Sequence, residues 1–190
     1  MRRSSLVLAI ACAVLLAGAV AFAAPLFTPG YENAPDFTLQ AQGGERFTLS
    51  DQRGHPVVLF FGYTHCPDVC PTTLANLAHA VRARGLGDRV RVAFVTVDPR
   101  RDTPSVLRRY VALFDPHFVG LTGSRAQLDT VFDDYHVWSK EVPSGGAAGE
   151  YFMSHSTTVY FIDRDGRLRG LGDWNDSPGA LQRDLRTYFS

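Results

Sequence analysis

Cys66 and Cys70 stand four residues apart in Phe61-Gly62-Tyr63-Thr64-His65-Cys66-Pro67-Asp68-Val69-Cys70-Pro71. They follow an apolar run that reads as a strand and precede one that reads as a helix. Thiols at such a junction suit three kinds of chemistry: holding a soft metal, forming a disulfide, or acting as a nucleophile. Thiolate is the form that binds metal and attacks disulfides, and the positive end of a helix lowers a thiol pKa toward it. Pro71 cannot sit deep in a regular helix. The segment from Cys66 to Pro71 is therefore expected either as a separate turn ahead of the helix or as a distorted first turn. Within a helix, side chains at i and i+4 stand roughly 5–6 Å apart at Cβ. That reach suits two sulfurs on one metal, whereas a disulfide needs some closing of the gap.

The spacing alone does not choose. Two intervening residues mark the usual thiol oxidoreductase, and three are unusual for it. A tetrahedral zinc site wants four ligands, and Cys66 and Cys70 are the only cysteines past the first 23 residues. Two thiolates with one imidazole suit copper, Cu(I) in particular. Six histidines are available. His55, His79 and His117 fall at strand starts or on helix surfaces, and His136 ends a helix; each reads as a surface or edge residue. His65 adjoins Cys66, but successive side chains diverge, which makes a chelate awkward. His155, in Met153-Ser154-His155-Ser156, precedes a strand whose leading loop faces the cysteines in a thioredoxin-like sheet. It reads as a ligand or as a hydrogen-bonded loop histidine. Met153 is a soft axial donor by type, but a packing role is the simpler expectation. Asp98 ends a second buried strand at the same edge. It either supports the site from behind the ligands or starts the next turn. Asp102 and Thr103 are expected as helix caps.

These residues must be positioned by the elements around them. Asp36–Leu39 and Arg46–Leu49 flank a Gln-Gly-Gly turn and read as a hairpin. Pro56–Tyr63 and Val90–Val97 are continuous apolar runs, as strands buried on both faces should be. Leu74, Leu77, Ala78 and Val81 mark a helix face. Thr103 followed by Pro104 starts another helix, and Phe118–Leu121 is a short strand. Ser124 caps a third helix carrying Leu128, Val131, Phe132 and Tyr135. Thr157–Ile162 is a strand that turns through Asp163-Arg164-Asp165-Gly166 into Leu168–Leu171. Ser177-Pro178 starts the last helix. Tyr135–Phe152 reads as a covering loop or a solvated connector. Strand–helix alternation gives parallel pairing and a sheet covered on both faces. The expected architecture is α/β and thioredoxin-like: a central mixed sheet flanked by helices, with an added N-terminal β-hairpin. In such sheets chemistry gathers at the carboxyl ends of the strands, where Cys66 and Cys70 fall.

The chain has 190 residues, 45% of them hydrophobic, and formal net charge zero. This suits one compact domain and offers no basic stripe for nucleic acid. Arg2 and Arg3 precede an uncharged apolar run from Leu6 to Ala24. Residues 1–23 are expected to be a signal peptide, cleaved after Ala21-Phe22-Ala23, or an uncleaved membrane anchor. Either way the folded part lies outside the cytoplasm, since the arginines stay inside. Cys12 lies within the run and reads as a small buried residue, not a lipid-attachment site. Residues 24–35 read as a linker, and 36–190 as the folded domain. Without residues 1–23 the charge is 17 basic minus 19 acidic, or −2. An exported domain with one cysteine pair is also compatible with a structural disulfide. A staple across so few residues constrains little chain, however, which favours a chemical role.

Taken together, these motifs resemble the Sco/SenC family of copper chaperones. The resemblance rests on the Phe61–Pro71 motif, on Val97-Asp98-Pro99-Arg100-Arg101-Asp102-Thr103-Pro104, on Leu121-Thr122-Gly123, and on His155-Ser156 before Tyr160-Phe161-Ile162-Asp163 and Gly166. It implies a thioredoxin-like fold that binds one copper, as Cu(I) or Cu(II), through Cys66, Cys70 and His155. It also implies a role in assembling the dinuclear copper centre of cytochrome c oxidase subunit II. Other copper chaperones or thiol oxidoreductases are further expected partners, and the membrane is another if residues 1–23 are retained. Two departures are visible: Arg100 stands where an acidic residue commonly follows Asp-Pro, and Ser154 where many members carry Asp. The alternative within the family is a thiol–disulfide reductase that keeps the oxidase cysteines reduced, with Cys66 attacking and Cys70 resolving. A peroxidase on the same fold is disfavoured: Tyr63 occupies the position of the threonine that precedes a peroxidatic cysteine, and no helix-borne arginine is evidently placed to polarise peroxide.

Overall fold

The computed structural model describes residues 32–146 and 149–189. The expected export segment and most of the expected linker lie outside the described residues. Among the described residues no helix is long and apolar enough to cross a membrane.

The run Val57-Val58-Leu59-Phe60-Phe61-Gly62 forms β3, and every residue in it is buried. A strand with both faces covered must be central, and it is. β3 pairs in parallel with β4 (Arg91–Thr96) and antiparallel with β8 (Val159–Ile162). β4 pairs in parallel with β5 (Val119–Thr122), and β5 is antiparallel to β1 (Thr38–Ala41). β2 (Arg46–Thr48) and β9 (Leu168–Gly172) close the two edges, giving the order β2-β1-β5-β4-β3-β8-β9. The added N-terminal hairpin is thus β1–β2, and it widens the sheet on the β5 side.

Four helices cover the sheet: α1 (Val69–Ala83), α2 (Pro104–Ala112), α3 (Arg125–Asp134) and α4 (Pro178–Tyr188). Alternation along β3 sorts them onto two faces. Phe60 meets Phe94, which meets Tyr110 of α2, while Phe161 meets Tyr188 of α4. On the opposite face Phe61 stacks edge-on with Phe132 of α3 and with Tyr160. Phe60, Phe61, Phe94 and Phe161 are fully buried; each such side chain stabilises the fold by about 1.5–3 kcal/mol. The expected Thr103 and Ser124 caps hold. Thr103 Oγ1 accepts from Val106 N–H with Pro104 at the first helical position, and Ser124 with Gln127 forms a capping box.

Two readings change. Tyr135–Phe152 is largely neither covering loop nor connector: Ser139–Pro143 (β6) and Tyr151–His155 (β7) pair as a separate antiparallel ribbon, with Ser139 opposite His155 and Val142 opposite Phe152. Residues 32–35, read as linker, are bonded to the domain. Leu168 N–H donates to Glu32 O at 3.1 Å, Ala34 N–H to Gly166 O at 2.9 Å, and the Tyr135 hydroxyl to Pro35 O at 2.8 Å.

Candidate metal centre

The topology delivers three segments to one end of the sheet. Gly62 ends β3 and leads into the cysteine motif. Thr96 ends the parallel neighbour β4 and leads into Asp98. β8 runs the other way, so Val159, opposite Phe60, begins at that same end, and β7 feeds His155 into it.

Cys66 precedes α1, which begins at Val69 with Asp68 as its N-cap, and Cys70 lies in the first turn. The spacing within a regular helix therefore does not apply to this pair. Pro71 is accommodated because it too lies in the first turn, where its missing N–H removes no helical bond. Both cysteines are free thiols, Cys70 buried and Cys66 partly exposed. The Cys70 N–H points at Cys66 Sγ, 3.4 Å away. The two sulfurs share a proton unequally. Hydrogen bonding from the Cys70 thiol, helped by the backbone N–H groups of Cys70 and Asp68, holds Cys66 down at about 4 against the opposing effect of burial. The same thiol–thiolate bond, with burial and the Cys66 charge, pushes Cys70 far above the ordinary thiol range. At neutral pH Cys66 is thiolate and Cys70 is its proton donor.

His155 Nε2 lies 3.6 Å from Cys70 Sγ, and His155 Nδ1 lies 2.6 Å from the Ser156 carbonyl. A carbonyl only accepts, so Nδ1 carries the proton and Nε2 presents its lone pair to the sulfurs. The Tyr63 ring stands edge-on against the imidazole, centroids 5.7 Å apart, and orients it further. Burial and the nearby thiols push the Tyr63 hydroxyl up to about 12, so it stays neutral. A thiolate and an imidazole sharing one metal in a plane, at roughly 2.3 and 2.0 Å, stand about 3.7 Å apart; the Cys70–His155 separation already fits. Among the described residues no group of three or more His, Cys, Asp or Glu side chains is already placed to hold a metal ion. Cys66, Cys70 and His155 are neighbours at the end of the sheet without forming a preassembled site.

The remaining residues fall into place around the triad. His65 hydrogen-bonds Thr64 Oγ1 through Nδ1 at 3.1 Å, and His117 Nδ1 is 3.0 Å from Asp115. Met153 is buried in the core, as a packing methionine should be. Asp98 contacts neither cysteine nor histidine directly. It holds Arg101 by an ion pair and accepts from the Tyr151 hydroxyl at 2.9 Å. It also starts the turn, since the Asp102 N–H donates to its carbonyl at 3.0 Å.

Asp102 is not the helix cap it was expected to be. Fully buried, it accepts from Thr64 N–H at 3.0 Å, from Thr64 Oγ1 at 2.6 Å and from Thr96 Oγ1 at 2.6 Å. It ties the cysteine motif to β4, and burial holds its carboxyl above the usual range despite those donors. Gly62 is the other residue that the sequence reading passed over. A Cβ there would stand 2.7 Å from Phe94 Cε2 and 2.8 Å from Cys70 Sγ. Only glycine lets the buried sulfur pack against the end of β3.

Comparison with known proteins identifies the lineage. A family model described as SCO1/SenC matches residues 28–190. The chain belongs to the SCO1/SenC family. A SCO2-like protein of Rickettsia prowazekii is 41% identical over 133 residues, covering 69% of this chain and 64% of that protein. The mitochondrial SCO1 homolog of Homo sapiens is 33% identical, covering 80% of this chain and 52% of its own length. Among the curated relatives it matches, the chain spans from about half to three quarters of their length. Bradyrhizobium japonicum ScoI, solved with copper bound, superposes with a TM-score of 0.75 at 40% identity, over 83% of this chain and 100% of that one. BsSco, a fold neighbour at 21% identity with a TM-score of 0.65, is described as a member of the Sco family of cytochrome c oxidase assembly proteins. With these structural relatives, the sheet and its helices are a thioredoxin-like fold.

Proposed function

We propose that this protein is an exported copper chaperone. It binds one copper, as Cu(I) or Cu(II), through Cys66, Cys70 and His155, and helps assemble the dinuclear copper centre of cytochrome c oxidase subunit II. The observation that carries the reading is the convergence of two thiols and an imidazole with its Nε2 lone pair free, in a family whose members have been solved with copper bound. Cys66 is ready to ligate as thiolate. Cys70 gives up its proton when the metal arrives, and His155 closes the third position. Copper is cargo here, and the three ligands release it by exchange onto the cysteines of the acceptor. Export by residues 1–23, cleaved or retained, places the domain on the outer side of the membrane.

A second reading has its own support: a partly exposed thiolate in front of a buried thiol is the arrangement of a thiol–disulfide reductase. Cys66 sulfur would attack a partner disulfide, forming a mixed disulfide and releasing one partner thiolate. Cys70 would then attack Cys66 sulfur, lose its proton to the second partner sulfur and leave a Cys66–Cys70 disulfide. Two electrons pass to the partner, which ends with one thiol and one thiolate, the latter protonated from water.

The test uses the soluble domain of an oxidase subunit II with its copper-site cysteines reduced and empty. Copper-loaded protein is expected to transfer its metal and generate the absorption of the dinuclear centre. Failure of transfer, together with stoichiometric reduction of the oxidised acceptor by copper-free protein, would favour the reductase instead.

A further inference from the structure

The structure carries a second contact set on which His155 depends, and none of it touches the thiols. The loop after β4 grips the ribbon β6–β7 at several points. Arg101 forms an ion pair with the buried Asp98 carboxylate. Its Nη1 donates to the Tyr151 carbonyl at 2.9 Å. Its guanidinium lies 3.7 Å from the Tyr151 ring centroid and 5.7 Å from that of Tyr63. The Tyr151 hydroxyl returns to the other Asp98 oxygen at 2.9 Å. Arg100 adds a 2.9 Å ion pair to Glu141 of β6, though that pair is exposed and adds little.

Tyr151 and His155 belong to the same strand, and with period-2 alternation they lie on the same face. The ribbon pairs with no strand of the main sheet. Beyond the short Ser156–Thr158 tether to β8, no backbone ladder fixes the ribbon to the main sheet, and side-chain contacts hold it. A half-buried guanidinium bridging a carboxylate, a carbonyl and two aromatic faces is a rigid connector that lysine cannot reproduce. From these contacts we infer that Arg101, held by Asp98, is a positioning residue: it fixes the β6–β7 ribbon at Tyr151 and so holds the imidazole of His155 over Cys66 and Cys70. The metal side of this inference rests on His155 being a ligand. The mechanical side does not.

The test compares the reduced, metal-free full chain with Arg101→Ala, Arg101→Lys and Tyr151→Phe variants by amide hydrogen exchange, followed by Cu(I) competition against a chelator. His155→Ala runs in parallel. Exchange at 151–155 is expected to rise at least tenfold in Arg101→Ala while amides of β3 and β4 stay protected. Cu(I) affinity should fall by about tenfold, with Arg101→Lys failing to restore either. Tyr151→Phe, which loses one hydrogen bond and keeps the ring, should show a smaller rise at the same amides. If Arg101→Ala does not fold, Tyr151→Phe decides by that local rise. A uniform rise across the sheet, or unchanged exchange at 151–155, overturns the inference. Should His155→Ala bind copper unchanged while the local rise in Arg101→Ala persists, the ligand assignment fails and the positioning role of Arg101 stands.

Discussion

Cys66 and Cys70 divide the thiol chemistry between them, and the division makes a measurable proton count. With Cys66 near 4 and Cys70 held far above the ordinary range, binding of copper at neutral pH releases about one proton, not the two expected of an ordinary dithiol. The apparent Cu(I) affinity should rise about tenfold per pH unit between about pH 7.5 and 8.5, where the thiols alone set the proton count. Competition titrations across that range check it; a slope of two would contradict the assignment. Metal-free protein should also lose one thiol to iodoacetamide at pH 6, where a free cysteine is nearly inert, and Cys66→Ser should abolish that reaction. At this scale the thiol pair stood out by residue type and spacing, while its grouping with His155 rested on the expected thioredoxin-like sheet and on the family resemblance. The inequality of the thiols was not, because it arises from burial of one sulfur and hydrogen bonding between the two. Asp102 was misread for a similar reason. Its neighbours Thr103 and Pro104 carry a helix-start signature, and only the fold reveals that Thr64 and Thr96 surround it.

The elements hold the site by close packing at their ends. Gly62→Ala would drive a methyl group into Cys70 Sγ and the Phe94 ring. It should destabilise the protein by about 1–3 kcal/mol and displace the buried sulfur. Chemical denaturation with thiol counting under native conditions measures both effects; unchanged stability and an unreactive Cys70 would show that the strand end yields freely. Asp102→Ala removes the acceptor of three donors and leaves the Thr64 N–H without its partner. A loss of about 1–3 kcal/mol is expected, with the cysteine motif loosened from β4. The central strands were legible because continuous apolar runs bounded by turn residues leave few alternatives. The β6–β7 ribbon was not. Ser139-Lys140-Glu141-Val142-Pro143 is mostly exposed, contains a proline and offers no buried alternation, so nothing in its composition separates it from a loop.

For the whole molecule, the thiol pair links stability to pH with opposite signs. The folded-state pKa of Cys66 lies below its unfolded value of about 8.5. Its contribution is therefore fully present above that value and is lost as pH falls toward about 4. The folded-state pKa of Cys70 is raised, so its contribution is present below the unfolded value and fades as pH climbs beyond it. Denaturation midpoints of reduced wild type and Cys66→Ser should accordingly converge as pH falls from about 8.5 to 4; a constant difference would contradict the sign. Class and the succession of elements along the chain followed from the alternation of strands and helices. The start of the domain did not, because Glu32 and Ala34 are fixed by backbone bonds to the β8–β9 turn that no side chain advertises. The account as a whole turns on three donors meeting at one copper. The most direct measurement is the Cu(I) affinity of the reduced protein against a competing chelator, beside Cys66→Ser, Cys70→Ser and His155→Ala. One tightly bound copper in the wild type, with a large loss in each variant, is the predicted result. Equal affinity in wild type and His155→Ala would contradict it.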